Sequence, residues 1–186
     1  MVRMDLNRKH AVTGFLQINE EQNVALRKIV ADLARAASGR ELLLDLYGGD
    51  GNLTGDLRSH FKRIISVDTV NEGGDPSEIA PPLPPGRTFV RADTKEFLTG
   101  QFWRDWSDSP IDAVIADPPR SGLEGTADLI ASLDTRSLIL VSCDPSTLSR
   151  DLIPILKRFA LSRIALIDMF PQTHHIEAVV GLRRQS

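Results

Sequence analysis

Two residues stand out by the chemistry they can do. Cys143, the one cysteine in 186 residues, ends the apolar run Ser137-Leu-Ile-Leu-Val-Ser142 and precedes Asp144-Pro145, a helix-opening pair. A thiol at that junction feels the positive end of a helix, which favours the nucleophilic thiolate. Asp144 beside it acts in the opposite sense through like charge. The plainer reading of a lone cysteine in an apolar strand is a small buried hydrophobe. Glu177 interrupts the apolar run His175-Ile-Glu-Ala-Val-Val-Gly181. A carboxylate there is costly unless paired or functional, and with a raised pKa it can serve as a general base. Its plainer reading is an edge-strand glutamate facing water. The adjacent His174 and His175 lack the thiolate or carboxylate spacing of a metal site, and no metal is assigned to them.

A second group of residues suits a nucleoside. Asp45-Leu-Tyr47-Gly-Gly49-Asp-Gly51 ends a strand in a glycine-rich turn, where the backbone can approach a ligand closely. Its spacing departs from Gly-x-Gly-x-x-Gly, because Thr54 holds the third glycine position. It also lacks the Lys-Ser/Thr of a triphosphate-cradling loop. Asp68, at the end of the next apolar run, can accept from both hydroxyls of a ribose. Asp93 ends the following run, placed for an adenine edge. Taken singly, each acid reads as a solvated loop residue; three on successive strand ends point to a nucleoside. Asp117-Pro-Pro-Arg120 adds a stiff, extended exit from a fourth strand, since each proline restricts itself and its predecessor. Such a lip can hold a planar substrate, and its plainer role is to terminate the strand.

The elements that must carry these residues follow from periodicity. Asn19 to Ala37 has apolar residues at helical spacing, with Asn19 as cap. Short apolar runs at 41–47, 63–68, 87–93, 111–117 and 137–143 suit strands buried on both faces, as in a parallel sheet. Helices are expected at Thr54–Phe61, Thr126–Leu133 and Ser146–Phe159, the last kinked by Pro154. The final strands, Ser162–Asp168 and Ile176–Leu182, are joined too closely for a parallel crossover and must be antiparallel. The fold class is therefore α/β: an open, mostly parallel sheet with one reversed strand near its C-terminal end. Ligands bind such sheets beyond the carboxyl ends of the strands, where Tyr47, Asp68, Asp93, Asp117 and Cys143 fall. The segment 71–86 contains prolines 76, 81, 82, 84 and 85, so an irregular loop is expected in place of a crossover helix.

Composition bounds the rest. With 22 basic and 25 acidic residues the net charge is −3, and 41% of residues are apolar. These values suit one soluble domain, 1–186, preceded by a polar extension over 1–14. One cysteine excludes an internal disulfide and an all-cysteine metal site, which suits a reducing, cytoplasmic setting. There is no secretory signal pattern and no membrane-spanning run. The slight acidity argues against a free-standing nucleic-acid binder.

Five segments in order, Phe15-Leu-Gln-Ile-Asn19, Asp45–Asn52, Asp117–Gly122, Val141–Leu152 and Asp168–Glu177, make the chain resemble a known family. It is similar to the C-terminal catalytic domain of the S-adenosylmethionine-dependent RNA (uracil-5-)-methyltransferases, which form 5-methyluridine in tRNA and rRNA. The resemblance implies a Rossmann-like class I methyltransferase fold and S-adenosylmethionine as cofactor. It implies cofactor contacts from Gln17, Tyr47, Asn52, Asp68 and Asp117, to which the glycine turn and the third strand end add Gly49 and Asp93. Cys143 would attack carbon 6 of uracil and Glu177 would remove the proton from carbon 5, with Asp117 in the catalytic set and Arg120 toward the substrate. The partner would be RNA, unstacked at the target base, and held weakly, because the family's N-terminal RNA-binding part has no counterpart in this sequence. The family usually carries asparagine at the position of Asp144, cysteine at Gly48 and glutamate at Asp68. Two other readings stand beside this one: a non-catalytic cofactor-binding remnant, and a methyltransferase acting on another planar substrate.

Overall fold

The computed structural model of the chain describes residues 20–70, 85–100, 103, 110–169 and 176–185. Its centre is a seven-stranded sheet in the order β3-β2-β1-β4-β5-β7-β6. The strands are β1 (Leu42–Leu46), β2 (Arg63–Asp68), β3 (Gly86–Arg91), β4 (Ala113–Ala116), β5 (Ser137–Ser142), β6 (Phe159–Asp168) and β7 (Ile176–Arg184). β1 to β5 pair in parallel, and β7 runs antiparallel to both of its neighbours, β5 and β6. β1, β4 and β5 are buried at every position, so they alternate in neither hydropathy nor exposure. This is the pattern of parallel strands covered on both faces.

Two apolar layers cover the sheet. On one face, α1 (Glu20–Arg35) places Leu26, Val30, Ala31 and Ala34 against Leu43, Ile64, Ile115 and Val141. On the other, α2 (Thr94–Thr99), α3 (Ala127–Ser132) and α4 (Pro145–Ile155) cover Leu44, Leu46, Val114 and Leu140 with Phe97, Ile130 and Ile155. Strand alternation sends neighbouring residues of β1 to opposite layers. None of the helices among the described residues is long and apolar enough to cross a membrane.

The structure alters several expectations in detail. The segment after the glycine turn, expected to be helical over Thr54–Phe61, is a 3-10 helix over Asn52–Leu57. α2 is an added element. Asp93 caps it, its Oδ1 accepting from the backbone N–H of Lys95 at 2.8 Å and Glu96 at 3.1 Å. α4 stops at Ile155, one residue past Pro154, and β6 begins three residues earlier than its apolar period suggests. The extension 1–14 and most of the proline-rich segment (71–84) lie outside the described residues, as do Gln17, His174 and His175. Of that segment, Pro85 and Gly86 are described, and Gly86 opens β3 with φ 101°.

β6 forms an edge of the sheet. Pairing slips between Leu161 and Arg163, a bulge that bends the strand. On its outer stretch Leu161, Ile164 and Leu166 are 49%, 56% and 67% exposed.

Candidate active site

The carboxyl ends of β1, β2, β4 and β5 open on one edge of the sheet, and the start of β7 joins them because that strand is reversed. The reversal decides the chemistry. β5 and β7 pair with Ser142 opposite Ala178. Cys143 follows Ser142 and Glu177 precedes Ala178, so both lie at the end of this ladder, near enough for Glu177 to act on Cys143 electrostatically. Asp117 leaves β4 next to them, its N–H donating to the Leu46 carbonyl at 3.3 Å. Glu177 therefore sits on an interior strand between β5 and β6, not on an edge facing water.

The charges of this cluster act on one another. Burial pushes the Asp117 carboxyl up to about 7, and the nearby Glu177, Asp45 and Asp68 push in the same direction. Burial also raises Glu177, against the pull of Arg120. The Cys143 thiol is raised by burial first and by Glu177 second, while Arg120 draws it down. Arg120 is thus the cation that favours both a thiolate and a carboxylate here. Asp144 takes the capping part expected of the Asp144-Pro145 pair. Its carboxylate turns into the first turn of α4 and accepts from Ser146 N–H at 2.7 Å and Thr147 N–H at 3.2 Å, which holds its pKa below the usual range.

The lip after Asp117 is pinned from α4. Gly122 N–H donates to the Pro119 carbonyl at 2.8 Å, closing a turn with Gly122 at φ 77°. Asp151, buried, accepts from Leu123 N–H at 2.6 Å, and Arg150 donates to the Ser121 carbonyl at 2.6 Å while gripping Asp151 at 2.8 Å. The segment carrying Arg120 is therefore tied to the helix that begins beside Cys143. Neither Arg150 nor Asp151 was singled out from sequence. An acid on an otherwise apolar stretch of a helix was the available signal.

At the neighbouring strand ends, the glycine turn is built around close contacts. Tyr47 adopts φ 58°, unusual for a residue with a side chain, and its hydroxyl lies 2.8 Å from Thr126 Oγ1. Gly49 (φ 50°) has open space where a Cβ would stand. Its N–H donates to Asp68 Oδ2 at 3.0 Å, while Asp68 Oδ1 accepts from Val70 N–H. Asn52 exchanges side-chain hydrogen bonds with Asn23 of α1 at 3.2 and 2.9 Å. Tyr47, Gly49, Asn52 and Asp68 thus share one turn. Asp93 stands at the next strand end, with one carboxylate oxygen committed to capping α2.

A sheet of this order, with its polar residues gathered beyond the strand ends, defines a class I methyltransferase fold. The N-methyltransferase NodS from Bradyrhizobium japonicum shares it at a TM-score of 0.64 over 90% of this chain with 10% identity, a likeness of fold alone. Residues 96–185 match the family model described as tRNA (Uracil-5-)-methyltransferase. The 23S rRNA (uracil(1939)-C(5))-methyltransferase RlmD of Pseudomonas fluorescens is 31% identical over 94% of this chain and 39% of its own length. An uncharacterized RNA methyltransferase of Porphyromonas gingivalis is 33% identical over 96% of this chain and 39% of its own length. The Pyrococcus abyssi tRNA (uracil-54, C5)-methyltransferase, solved with S-adenosyl-L-homocysteine, superposes at a TM-score of 0.66 with 25% identity, over 91% of this chain and 40% of that one. The chain belongs to the RNA (uracil-5-)-methyltransferase family, and it spans about two fifths of the length of these relatives.

Proposed function

We propose that the chain transfers a methyl group from S-adenosylmethionine to carbon 5 of a uridine in RNA, by way of a covalent adduct with Cys143. The observation that supports this reading is the register of β5 and β7, which pairs Ser142 with Ala178, the residues just before Cys143 and just after Glu177, together with the electrostatic effect of Glu177 on Cys143. A nucleophile close to a base is what methylation of an unreactive ring carbon needs. Methylation of an amine needs no such thiol.

The glycine turn fits the cofactor. Gly49 leaves open space over the backbone, and Asp68 presents a carboxylate at the strand end suited to a ribose diol. Tyr47, Gly49, Asn52 and Asp68 would hold the nucleoside end, with Gln17, Asp93 and Asp117 in the wider set. When bound, the cofactor supplies an electrophilic methyl group. Cys143, as thiolate, adds to carbon 6 of the ring; Arg120 favours that ionised form. The electron pair displaced from the carbon 5–carbon 6 double bond would make carbon 5 nucleophilic; carbon 5 would take the methyl group as the methyl–sulfonium bond breaks, that bond's electron pair staying on sulfur in the neutral thioether product. Glu177 then accepts the proton from carbon 5. The freed pair restores the double bond, the carbon–sulfur bond breaks, and Cys143 leaves as thiolate. The lip Asp117–Gly122 borders the place where the flipped base must lie.

Replacement of Cys143 by alanine is expected to abolish methyl transfer to RNA lacking 5-methyluridine while cofactor binding, read by calorimetry, persists. Turnover by that variant removes the covalent route. Glu177→Gln is expected to accumulate a protein–RNA adduct, seen as a slow band on a denaturing gel with labelled RNA. If no adduct forms although Cys143 is needed, the base is another group.

A further inference from the structure

Beneath the glycine turn lies an ion pair that the steps above do not use. Asp45 on β1 is 1% exposed, and Arg87 on β3, 6% exposed, brings Nη2 to 3.8 Å from its Oδ2 across the intervening strand β2. The same Nη2 donates to the carbonyl of Gly51 at 3.0 Å. A Cβ on Gly51 would collide with the guanidinium, so the turn and the arginine are packed against each other. Asp45 Oδ2 also accepts from Ser66 Oγ at 2.8 Å and from Thr54 Oγ1 at 3.0 Å. Thr54 belongs to the 3-10 helix that leaves the turn and bonds back to Gly51. Asp45 Oδ1 and Arg87 Nε are buried without a hydrogen-bond partner among the described residues. Isolated buried charges are costly, and a buried pair adds little net stability of its own.

We infer that Arg87 is a positioning residue of the cofactor site: with Asp45 it clamps the middle and the exit of the Gly48–Thr54 turn into the shape that receives the ligand. Arg87 holds the turn through the Gly51 carbonyl, and Asp45 holds its exit through Thr54. The clamp works only while Asp45 is an anion accepting from Thr54 and Ser66. Its proton would have to go to an oxygen, and charge-assisted bonds weaken when the acceptor is neutralised. Burial pushes Asp45 up to about 6; Ser66, Arg87 and Thr54 hold it down, and Asp68 raises it. Asp117 also interacts with it, and Arg58 and Asp50 face Arg87. Of the groups that hold Asp45 down, Ser66 acts most strongly and Arg87 next, and Arg87 is the one that does so by charge.

The inference rests on the proposed cofactor reading, and the test separates the two. S-adenosyl-L-homocysteine is titrated calorimetrically into the wild type, Arg87→Met and Arg87→Lys between about pH 6 and pH 9. Each variant is read as a ratio to wild type at the same pH, which cancels the titration of Asp117 common to all three proteins. Arg87→Met is expected to bind on the order of tenfold more weakly than wild type at neutral pH and to recover toward it as the pH rises, because Asp45 then loses its proton only at higher pH. Arg87→Lys restores a ratio near one at every pH. A loss by the same factor at every pH, or no loss, overturns the clamp. In parallel, the Asp45 carboxyl carbon is followed by NMR in ligand-free protein, where its titration must move upward in Arg87→Met. If the wild type binds no ligand, the cofactor reading fails and the NMR titration alone decides whether Arg87 holds Asp45 ionised. Should Arg87→Met not fold, Arg87→Gln keeps a donor for Gly51 without the charge and takes its place.

Discussion

Asp117 is the residue whose protonation the fold shifts to about 7 from its ordinary 3.8. The folded state therefore holds that proton more tightly than the unfolded chain throughout this interval. By linkage, the group costs stability as pH rises from about 4 to about 7, the reverse of a salt-bridged aspartate. Asp117→Asn removes the titration, so its stability relative to wild type should improve as pH rises. The gain by about pH 8 should be on the order of 1–2 kcal/mol after allowance for partial exposure, measured by urea unfolding at a series of pH values. A difference that stays constant with pH would show that Asp117 ionises normally. At this scale the sequence was a good guide to residue type. Cys143, Glu177 and Asp117 were picked by their chemistry, and the strand register brings them to one edge. The Asp144-Pro145 pair was legible as a helix opening, and Asp144 caps α4 as expected. That its charge is absent from the groups acting on the thiol was not legible, because it depends on a rotamer. Nor could the sequence reveal Arg87, whose partner Asp45 is 42 residues away on a non-adjacent strand.

Elements set how firmly those residues are held. Asp144→Ala removes the acceptor for two N–H groups at the start of α4 and should lower the unfolding midpoint, with Asp144→Asn largely restoring it. Denaturant unfolding of the three proteins checks this. Gly122→Ala meets a second kind of constraint. At φ 77° a side chain is strained, and its Cβ would run into Asp151, the residue that pins the lip. The variant should lose more than about 1 kcal/mol and should slow methyl transfer more than it weakens cofactor binding. Equal effects on both would mean that the lip and the cofactor turn move together. The strands were legible because their apolar runs are bounded by glycine, proline and acids. α2 was not: six residues, Thr94–Thr99, are too few for a helical period to emerge. The helix after the turn, expected at Thr54–Phe61, runs over Asn52–Leu57 for a related reason. Thr54 and Asn52 bond back to the turn and to α1, and tertiary contacts decide such short segments.

For the whole molecule, charge sets the relation to RNA. A net charge of −3 offers little counterion release, so affinity for bulk RNA at physiological salt should be no tighter than about 10 μM, with a shallow salt slope. Filter binding across a salt series measures both. Tight, steeply salt-dependent binding would mean that a local basic surface outweighs the average. The layered α/β order was readable from the alternation of elements, and the reversed last pair from a connection too short to cross over. The order of the strands within the sheet was not deduced, because it depends on which non-sequential strands meet.

The open side of β6 has a consequence for anyone handling the protein. Leu161, Ile164 and Leu166 lie on a strand whose outer hydrogen-bonding groups have no neighbouring strand among the described residues. That is the form in which sheets recruit further chains, and the bulge before Arg163 is the feature that disrupts such stacking. Concentrated solutions should therefore scatter light before the protein unfolds, and Leu166→Lys should raise the concentration at which turbidity begins without moving the melting temperature. The colloidal limit of this molecule is written on the strand farthest from β3, at the opposite border of the sheet.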